Sequence, residues 1–114
     1  MIKVEWDVEE LVALIDIHRR LSTKSQADID AELERLSVYL NRRADRLNIV
    51  HDEKFRNLNG MKMMYQNVVY IATGGARGMS SASSSMRKVY GLLQKDPDVF
   101  ELILTEFRVR YACT

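Results

Sequence analysis

One apolar stripe does most to fix what this chain can fold into. Its members recur at steps of four and three residues, so they share one face of a helix. They are Ile29, Leu33, Leu36, Leu40, Ala44 and Leu47. Proline, which interrupts helices, occurs once in the 114 residues. The stripe therefore predicts a long amphipathic helix and favours an all-α fold.

Four further segments carry helical periodicity, and most of them begin at a residue suited to cap a helix. Asp7 and Glu10 have the spacing of a capping box, and Asp96-Pro97 joins a cap residue to a proline in the first turn. The remaining candidate caps are Ser25 for the long helix, Asn57 or Asn59 for the next, and Ser80, Ser81 or Ser83 for the fourth. The run NVVYIA is β-branched, but its length and the preceding period favour helix.

These segments predict one helical domain over residues 1–114 with about five helices. Residues 1–73 would form a trihelical core, 74–82 a flexible loop rich in glycine and serine, and 83–112 a C-terminal helical pair. No apolar run has the length of a membrane span, and the start MIKVEWDVEE lacks the apolar stretch of a signal peptide. Because Cys113 is the single cysteine, we expect a reducing, cytoplasmic setting.

Charge is distributed unevenly along the chain, although the net charge is +1. It is −5 over residues 1–34, +7 over 35–91 and −1 over 92–114. A basic middle between acidic ends suggests a surface that faces a polyanion. The equally open alternative is that the helices pack acidic faces against basic ones.

The sequence carries no recognisable catalytic or metal-binding motif. His18 and His51 lie far apart, neither is near a cysteine, and His18 falls on the apolar face of the first helix, where we expect a boundary residue. The segment GGARGMSS lacks the lysine and the spacing of a nucleotide-binding loop. We therefore expect a protein that is not an enzyme and that needs no cofactor and no metal.

The segment FRNLNGMKMMYQN suggests a nucleic-acid surface on the third helix. Lys62, Gln66 and Asn67 fall mostly opposite or beside its apolar stripe, and such side chains neutralise phosphates or pair with adenine edges. Basic residues on either side would hold the DNA backbone. The predicted DNA contacts are Arg42, Arg43, Arg46, Lys54, Arg56, Asn57, Asn59, Lys62, Met63, Gln66, Asn67 and Arg77.

A purely structural explanation of the same residues stays open. Asn57 and Asn59 would then only cap the helix, and Arg56 would bridge to an acidic residue of the first helix. Gln66 and Asn67 would simply face water.

A set of short motifs runs through the chain in a fixed order. They are Trp6, Glu9-Glu10, Leu36-Ser37, Leu40, Phe55-Arg56-Asn57, Gly60, Met63 and Asn67, then a Gly/Ser loop, a helix and Asp-Pro-x-Val-Phe at 96–100. This order resembles the N-terminal region of bacterial restriction-type proteins, many of which carry a His-Asn-His nuclease domain further along. The trihelical part also resembles Myb-like or helix-turn-helix modules, which implies DNA contact through the third helix. Departures are the reversed order of Lys62 and Met63, the run Tyr70-Ile71-Ala72 where the family often has Leu-Asp-Pro, and the lack of a nuclease motif.

Two functions follow as expectations. The first is a non-catalytic module that binds duplex DNA in restriction or phage defence, either as one domain of a longer protein or as a small relative. The alternative is a small protein-interaction adaptor or inhibitor, which could be phage-encoded, acting on a defence complex. Exposed methionines would favour the alternative, although Met61, Met64 and Met86 are expected in the core. A homodimer formed through the last helix would fit either function.

Overall fold

The computed structural model describes residues 4–112 and, within them, confirms an all-α fold of five helices. The helices are α1 (Val8–Leu21), α2 (Gln26–Arg46), α3 (Leu58–Ala72), α4 (Ser84–Lys95) and α5 (Pro97–Phe107). A π-helical turn, Arg108–Ala112, continues directly from α5 and is a feature that periodicity does not predict. The expectation for Cys113 falls outside the described residues.

The helix starts are where the local sequence places them. Asp7 accepts a hydrogen bond from the Glu10 N–H, and the Glu10 carboxylate accepts one from the Asp7 N–H, so the capping box is confirmed. The other N-caps are Ser25 for α2, Asn57 for α3, Ser83 for α4 and Asp96 for α5. Each is one of the predicted candidates, because a cap depends on residues within three positions of it.

Helix α1 lies at the centre of the fold and packs against the other four helices. Its residues 11–17 are all buried, so this helix is covered on every side and not only on one face. Met86 of α4 and Phe100 of α5 are fully buried in the same apolar cluster as Leu33 and Met61. The core is therefore continuous through all five helices.

The connection between α2 and α3 spans residues 47–57. It is longer than the three- or four-residue turn that joins the helices of a helix-turn-helix motif. The connection between α1 and α2, residues 22–25, has that shorter length. The α2–α3 connection therefore does not have the length of a helix-turn-helix turn, and a DNA contact by α3 would depend on the side chains that this helix exposes.

The glycine-rich loop after α3 folds back onto that helix. Gly78 has φ +85°, and a Cβ placed on it would lie 2.3 Å from the carbonyl oxygen of Gln66. The next residue, Met79, donates its N–H to that same carbonyl at 3.1 Å. Only glycine permits so close an approach in this conformation, so Gly78 anchors the loop.

Candidate functional site

The entrance to α3 is assembled around the Arg56 side chain. Its guanidinium donates to both carboxylate oxygens of Glu10, at 2.7 and 2.9 Å, and to two backbone carbonyls of the segment before α1. It also lies 4.5 Å from the ring centroid of Trp6 and 4.3 Å from that of Phe55. The side chains of Arg56 and Glu10 are only 8% and 2% exposed. This buried ion pair ties the start of α3 to the start of α1.

Helix α2 fixes the backbone on which Arg56 sits. Arg56 has φ 51°, a left-handed conformation that residues other than glycine adopt infrequently. Ser37 donates its hydroxyl to the Arg56 carbonyl, and the Asn41 amide donates to the preceding carbonyl at 3.0 Å. Asn57 then caps α3 by accepting from the Gly60 N–H at 2.9 Å. Many of the residues that carry the family resemblance therefore meet at one structural junction of α1, α2 and α3.

The structure corrects the prediction that Arg43 and Arg56 face outward toward phosphates, because both side chains have carboxylate partners inside the fold. Arg43 is 8% exposed and donates to Glu9 and to Asp7, at 2.6 Å in each case. Both guanidinium groups are thus neutralised by carboxylates of α1 and its cap. The structural alternative for Arg56, a bridge to an acidic residue of the first helix, is confirmed.

Arg42 and Arg46 also have internal partners. Arg42 donates to the Tyr111 carbonyl at 2.6 Å, and Arg46 donates to the Arg110 carbonyl. Cations at such positions satisfy the last carbonyls of a helix and oppose the negative end of its dipole. Their contacts hold the π-helical turn against α2, so both guanidinium groups already have a backbone partner, although Arg46 is exposed.

Asn67, expected on the outside of α3, is a third correction. It is 6% exposed, and its side-chain oxygen accepts a hydrogen bond from the Ser81 hydroxyl at 2.9 Å. The loop anchored at Gly78 covers this side of α3, which the helical period of the sequence does not reveal. Gln66, on the same part of the helix, is half-buried.

The rest of the predicted surface is exposed, and part of it lies together, because Lys54, Asn57 and Met63 line one depression with Trp6 and Arg56. Its exposed members are Arg46, Lys54, Asn57, Asn59, Lys62, Met63 and Arg77. Lys62 lies 3.3 Å from the Asp30 carboxylate. The Asn57 side chain is used as a cap. The structure therefore does not bring the twelve predicted residues together into one basic face.

A basic surface that sequence reasoning missed lies on α4. Residues 54–95 contain seven basic side chains and no acidic one. Arg87, Lys88 and Lys95 of this segment are exposed, and none of them has an ion-pair partner among residues 4–112. Together with Gly91 they line one shallow depression. The signal that could have found them is the long acid-free run, which averaging over residues 35–91 concealed.

A second buried carboxylate, Asp16, lies on another side of α1. It is 2% exposed and is bound by Arg19 at 2.6 Å, by Arg20 at 2.8 Å and by Arg108 at 2.8 Å. Arg108 belongs to the π-helical turn, so this cluster ties the C-terminal part of the described chain to α1. Its geometry is that of a structural ion-pair cluster, since both carboxylate oxygens already accept from arginines.

Comparison with protein-family models, curated proteins and solved structures finds no match. The resemblance to restriction-type proteins therefore stays a prediction that the motif residues alone support. Within residues 4–112, no group of three or more His, Cys, Asp or Glu side chains could hold a metal ion. No helix in the same range is long and apolar enough to cross a membrane.

Proposed function

We propose that this protein is a non-catalytic module that binds duplex DNA, with α4 as the helix that contacts the phosphate backbone. The observation that carries the proposal is the group of Arg87, Lys88 and Lys95, which share one open surface and lack carboxylate partners among the described residues. In this respect they differ from Arg43 and Arg56, whose charge is neutralised inside the fold.

The dimensions of α4 suit this role. Arg87 and Lys95 are eight residues apart, which corresponds to about 12 Å along a helix axis. A DNA duplex presents about seven phosphate charges over that length, because it carries one per ~1.7 Å. Three cations held on one rigid helix can therefore each reach a separate phosphate.

Gly91 supports a close approach to α4. It lies inside the helix, and a Cβ added to it would meet no atom within 4 Å. Glycine in a helix interior costs about 0.5–1 kcal/mol relative to alanine, and no packing contact in the described structure requires it here. A bare backbone between basic side chains suits contact with a bulky polyanion.

Fluorescence anisotropy with a labelled duplex, measured from 50 to 200 mM salt, tests the proposal. With three phosphate contacts, log K should fall against log salt with a contribution of about −2.7, which is a loss of about 40-fold over this range. Replacing Arg87, Lys88 and Lys95 together by alanine should remove that part of the slope.

A matched control removes the same charge from other faces. The control variant replaces Lys24, Arg35 and Arg110 by alanine, and its salt slope should stay close to that of the unmodified protein. Equal weakening in both triple variants would show diffuse attraction and no defined face. Absence of binding at 50 mM salt would reject the DNA proposal itself.

The association with restriction or phage defence rests on the motif resemblance and not on the geometry of α4. We include it in the proposal because the motif set spans most of the chain. A nuclease or methyltransferase gene beside the coding gene would support it, whereas loss of the chain without effect on phage resistance in its host would count against it.

A second candidate function is protein interaction through α5. Leu102 of α5 is 62% exposed and Val99 38%, and Val109 of the π-helical turn that continues α5 is 65% exposed. Asp98 lies at one end of this stripe and Arg110, which also pairs with Glu106 at 2.8 Å, at the other, so two copies packed antiparallel would bring Asp98 of each near Arg110 of the other. This arrangement favours a homodimer. A homodimer of this kind could also serve as the adaptor or inhibitor of a defence complex that is the alternative expected from the sequence.

Light scattering after size-exclusion chromatography tests the second candidate. The unmodified protein should show a mass that rises with concentration toward a dimer, and Leu102→Lys should remain a monomer of 13.2 kDa. A monomeric mass for both proteins at high concentration would reject the homodimer.

A further inference from the structure

A polar pocket of about 330 Å³ lies between the α1–α2 turn and the C-terminal half of α3. It is separate from the basic face of α4, with which it shares no lining residue. Its wall includes His18, Tyr65 and Arg77, with hydroxyl or amide groups from Ser22, Thr23, Gln26, Gln66 and Thr73. No aspartate or glutamate lines it.

The Tyr65 hydroxyl is the feature that the fold does not explain. Tyr65 is 3% exposed, and its hydroxyl is the one buried side-chain polar atom of the described residues that has no hydrogen-bond partner. Native proteins satisfy nearly all such atoms, because an unpaired buried hydroxyl is costly. Burial also raises the pKa of this phenol, so it is a neutral donor at physiological pH.

The charge of the pocket favours an anion. Arg77 is exposed and has no carboxylate partner among residues 4–112. Burial, followed by the nearby Arg77 charge, lowers the pKa of His18, so the imidazole is neutral at pH 7 and can donate one hydrogen bond. The His18 ring centroid lies 5.7 Å from that of Tyr65.

We propose that this pocket binds a phosphate monoester, with Arg77 and the Tyr65 hydroxyl donating to the phosphate oxygens. A phosphate fits better than a carboxylate, because its three terminal oxygens can accept from several donors and no acidic side chain lines the wall. The Thr73 hydroxyl already donates to the Val69 carbonyl and the Gln26 amide to Asp30, so the remaining donors beside Arg77 come mainly from Ser22, Thr23 and Gln66. The apolar side chains of Ile29, Val69 and Ala72 also line the pocket and would contact the esterified group. The Tyr65 hydroxyl is closed to solvent, and the half-buried His18 ring lies beside it, so this proposal requires the His18 ring to move when the ligand binds.

Phenyl phosphate and inorganic phosphate are the probes, followed by ¹H–¹⁵N and histidine-ring NMR spectra. Phenyl phosphate should bind saturably and shift the signals of His18, Tyr65 and Arg77, with weaker shifts from inorganic phosphate. Absence of saturable shifts with both probes overturns the proposal, whatever the outcome of the DNA experiment on α4.

Two variants separate the pocket from general charge attraction. Arg77→Ala should weaken phenyl phosphate binding tenfold or more, as expected for loss of a charge-assisted hydrogen bond. Tyr65→Phe should weaken it several-fold while leaving the fold at least as stable, because its hydroxyl has no partner within the described protein. Arg87→Ala, on the α4 face, should leave it unchanged. Undiminished binding by Arg77→Ala and Tyr65→Phe would overturn the assignment.

A phosphate monoester can belong to a small metabolite or to a nucleic-acid end. Competition by a 5′-phosphorylated oligonucleotide, but not by its 5′-hydroxyl counterpart, would support the pocket with a nucleic-acid end as the source. Competition by neither, with phenyl phosphate still bound, would support the pocket with a small molecule as the source.

Discussion

Replacing Arg56 by alanine should be among the most destabilising single changes in this protein. The substitution leaves the Glu10 carboxylate, 2% exposed, without its cation and removes the stacking on Trp6 and Phe55. Breaking a buried ion pair by removing one partner costs about 3–5 kcal/mol. With a urea m-value of about 2 kcal/mol/M, the unfolding midpoint should fall by roughly 1.5–2.5 M.

The measurement is urea unfolding followed by circular dichroism, carried out as a double-mutant cycle with Glu10→Gln. Because two hydrogen bonds join the Arg56 and Glu10 side chains, the cycle should give a coupling energy of about 1–3 kcal/mol. Arg35→Ala is the matched control, since Arg35 pairs with Glu32 on the exposed surface and should cost less than about 1 kcal/mol. A loss at Arg56 no larger than that at Arg35, or additive effects of Arg56 and Glu10, would refute this account of the junction.

The other predictions concern two glycines and two histidines. Gly78→Ala should destabilise the fold by about 1–3 kcal/mol or more, because its Cβ would meet the α3 backbone at positive φ, whereas Gly91→Ala should stabilise it by about 0.5–1 kcal/mol in the same urea assay. A stabilised Gly78→Ala or a destabilised Gly91→Ala would contradict the assigned contacts. Burial lowers the pKa of His18, so the folded protein should lose stability as pH falls from 6.5 toward that lowered pKa, and His18→Gln should reduce the loss. The hydrogen bond to Asp45 raises the pKa of His51, so the contribution of His51 to the free energy of unfolding should be fully present below pH 6.5 and should disappear as pH rises through the raised pKa. His51→Ala should therefore lower the stability more at pH 5 than at pH 8, and equal losses at both pH values would refute this prediction.

The helices and their starts could be predicted because they depend on short-range chemistry. The Asp7–Glu10 capping box and the caps at Ser25 and Asp96 each involve residues three positions apart. The burial of Asn67 could not be predicted in this way. Helical periodicity assigns a side chain to one face of a helix, but it does not tell which element covers that face. Here the covering element is a loop whose composition is typical of a solvent-exposed linker.

Several of the predicted DNA contacts are internal for a related reason. Arg56 pairs with Glu10 across 46 positions and Arg43 with Asp7 across 36, and spacing along the chain carries no information about such contacts. The interpretation in which acidic faces pack against basic ones is therefore confirmed for these arginines, and the polyanion-facing interpretation stays a prediction. The acidic N-terminal segment packs against the basic middle, and its carboxylates neutralise the charges of Arg43 and Arg56.

The basic side chains that have no carboxylate partner are a better indicator of function than the total number of basic residues in the sequence. Arg87, Lys88 and Lys95 lie in a run without acidic neighbours along the chain, and none of the described residues neutralises them in space. Lys62, by contrast, lies in the same run but 3.3 Å from Asp30. A basic residue marks a binding surface only when both its sequence neighbours and its spatial neighbours leave its charge unpaired. By that criterion we expect a polyanion to contact α4, and Arg77 in the pocket beside α3, before the amides and arginines that the sequence indicated at the start of α3.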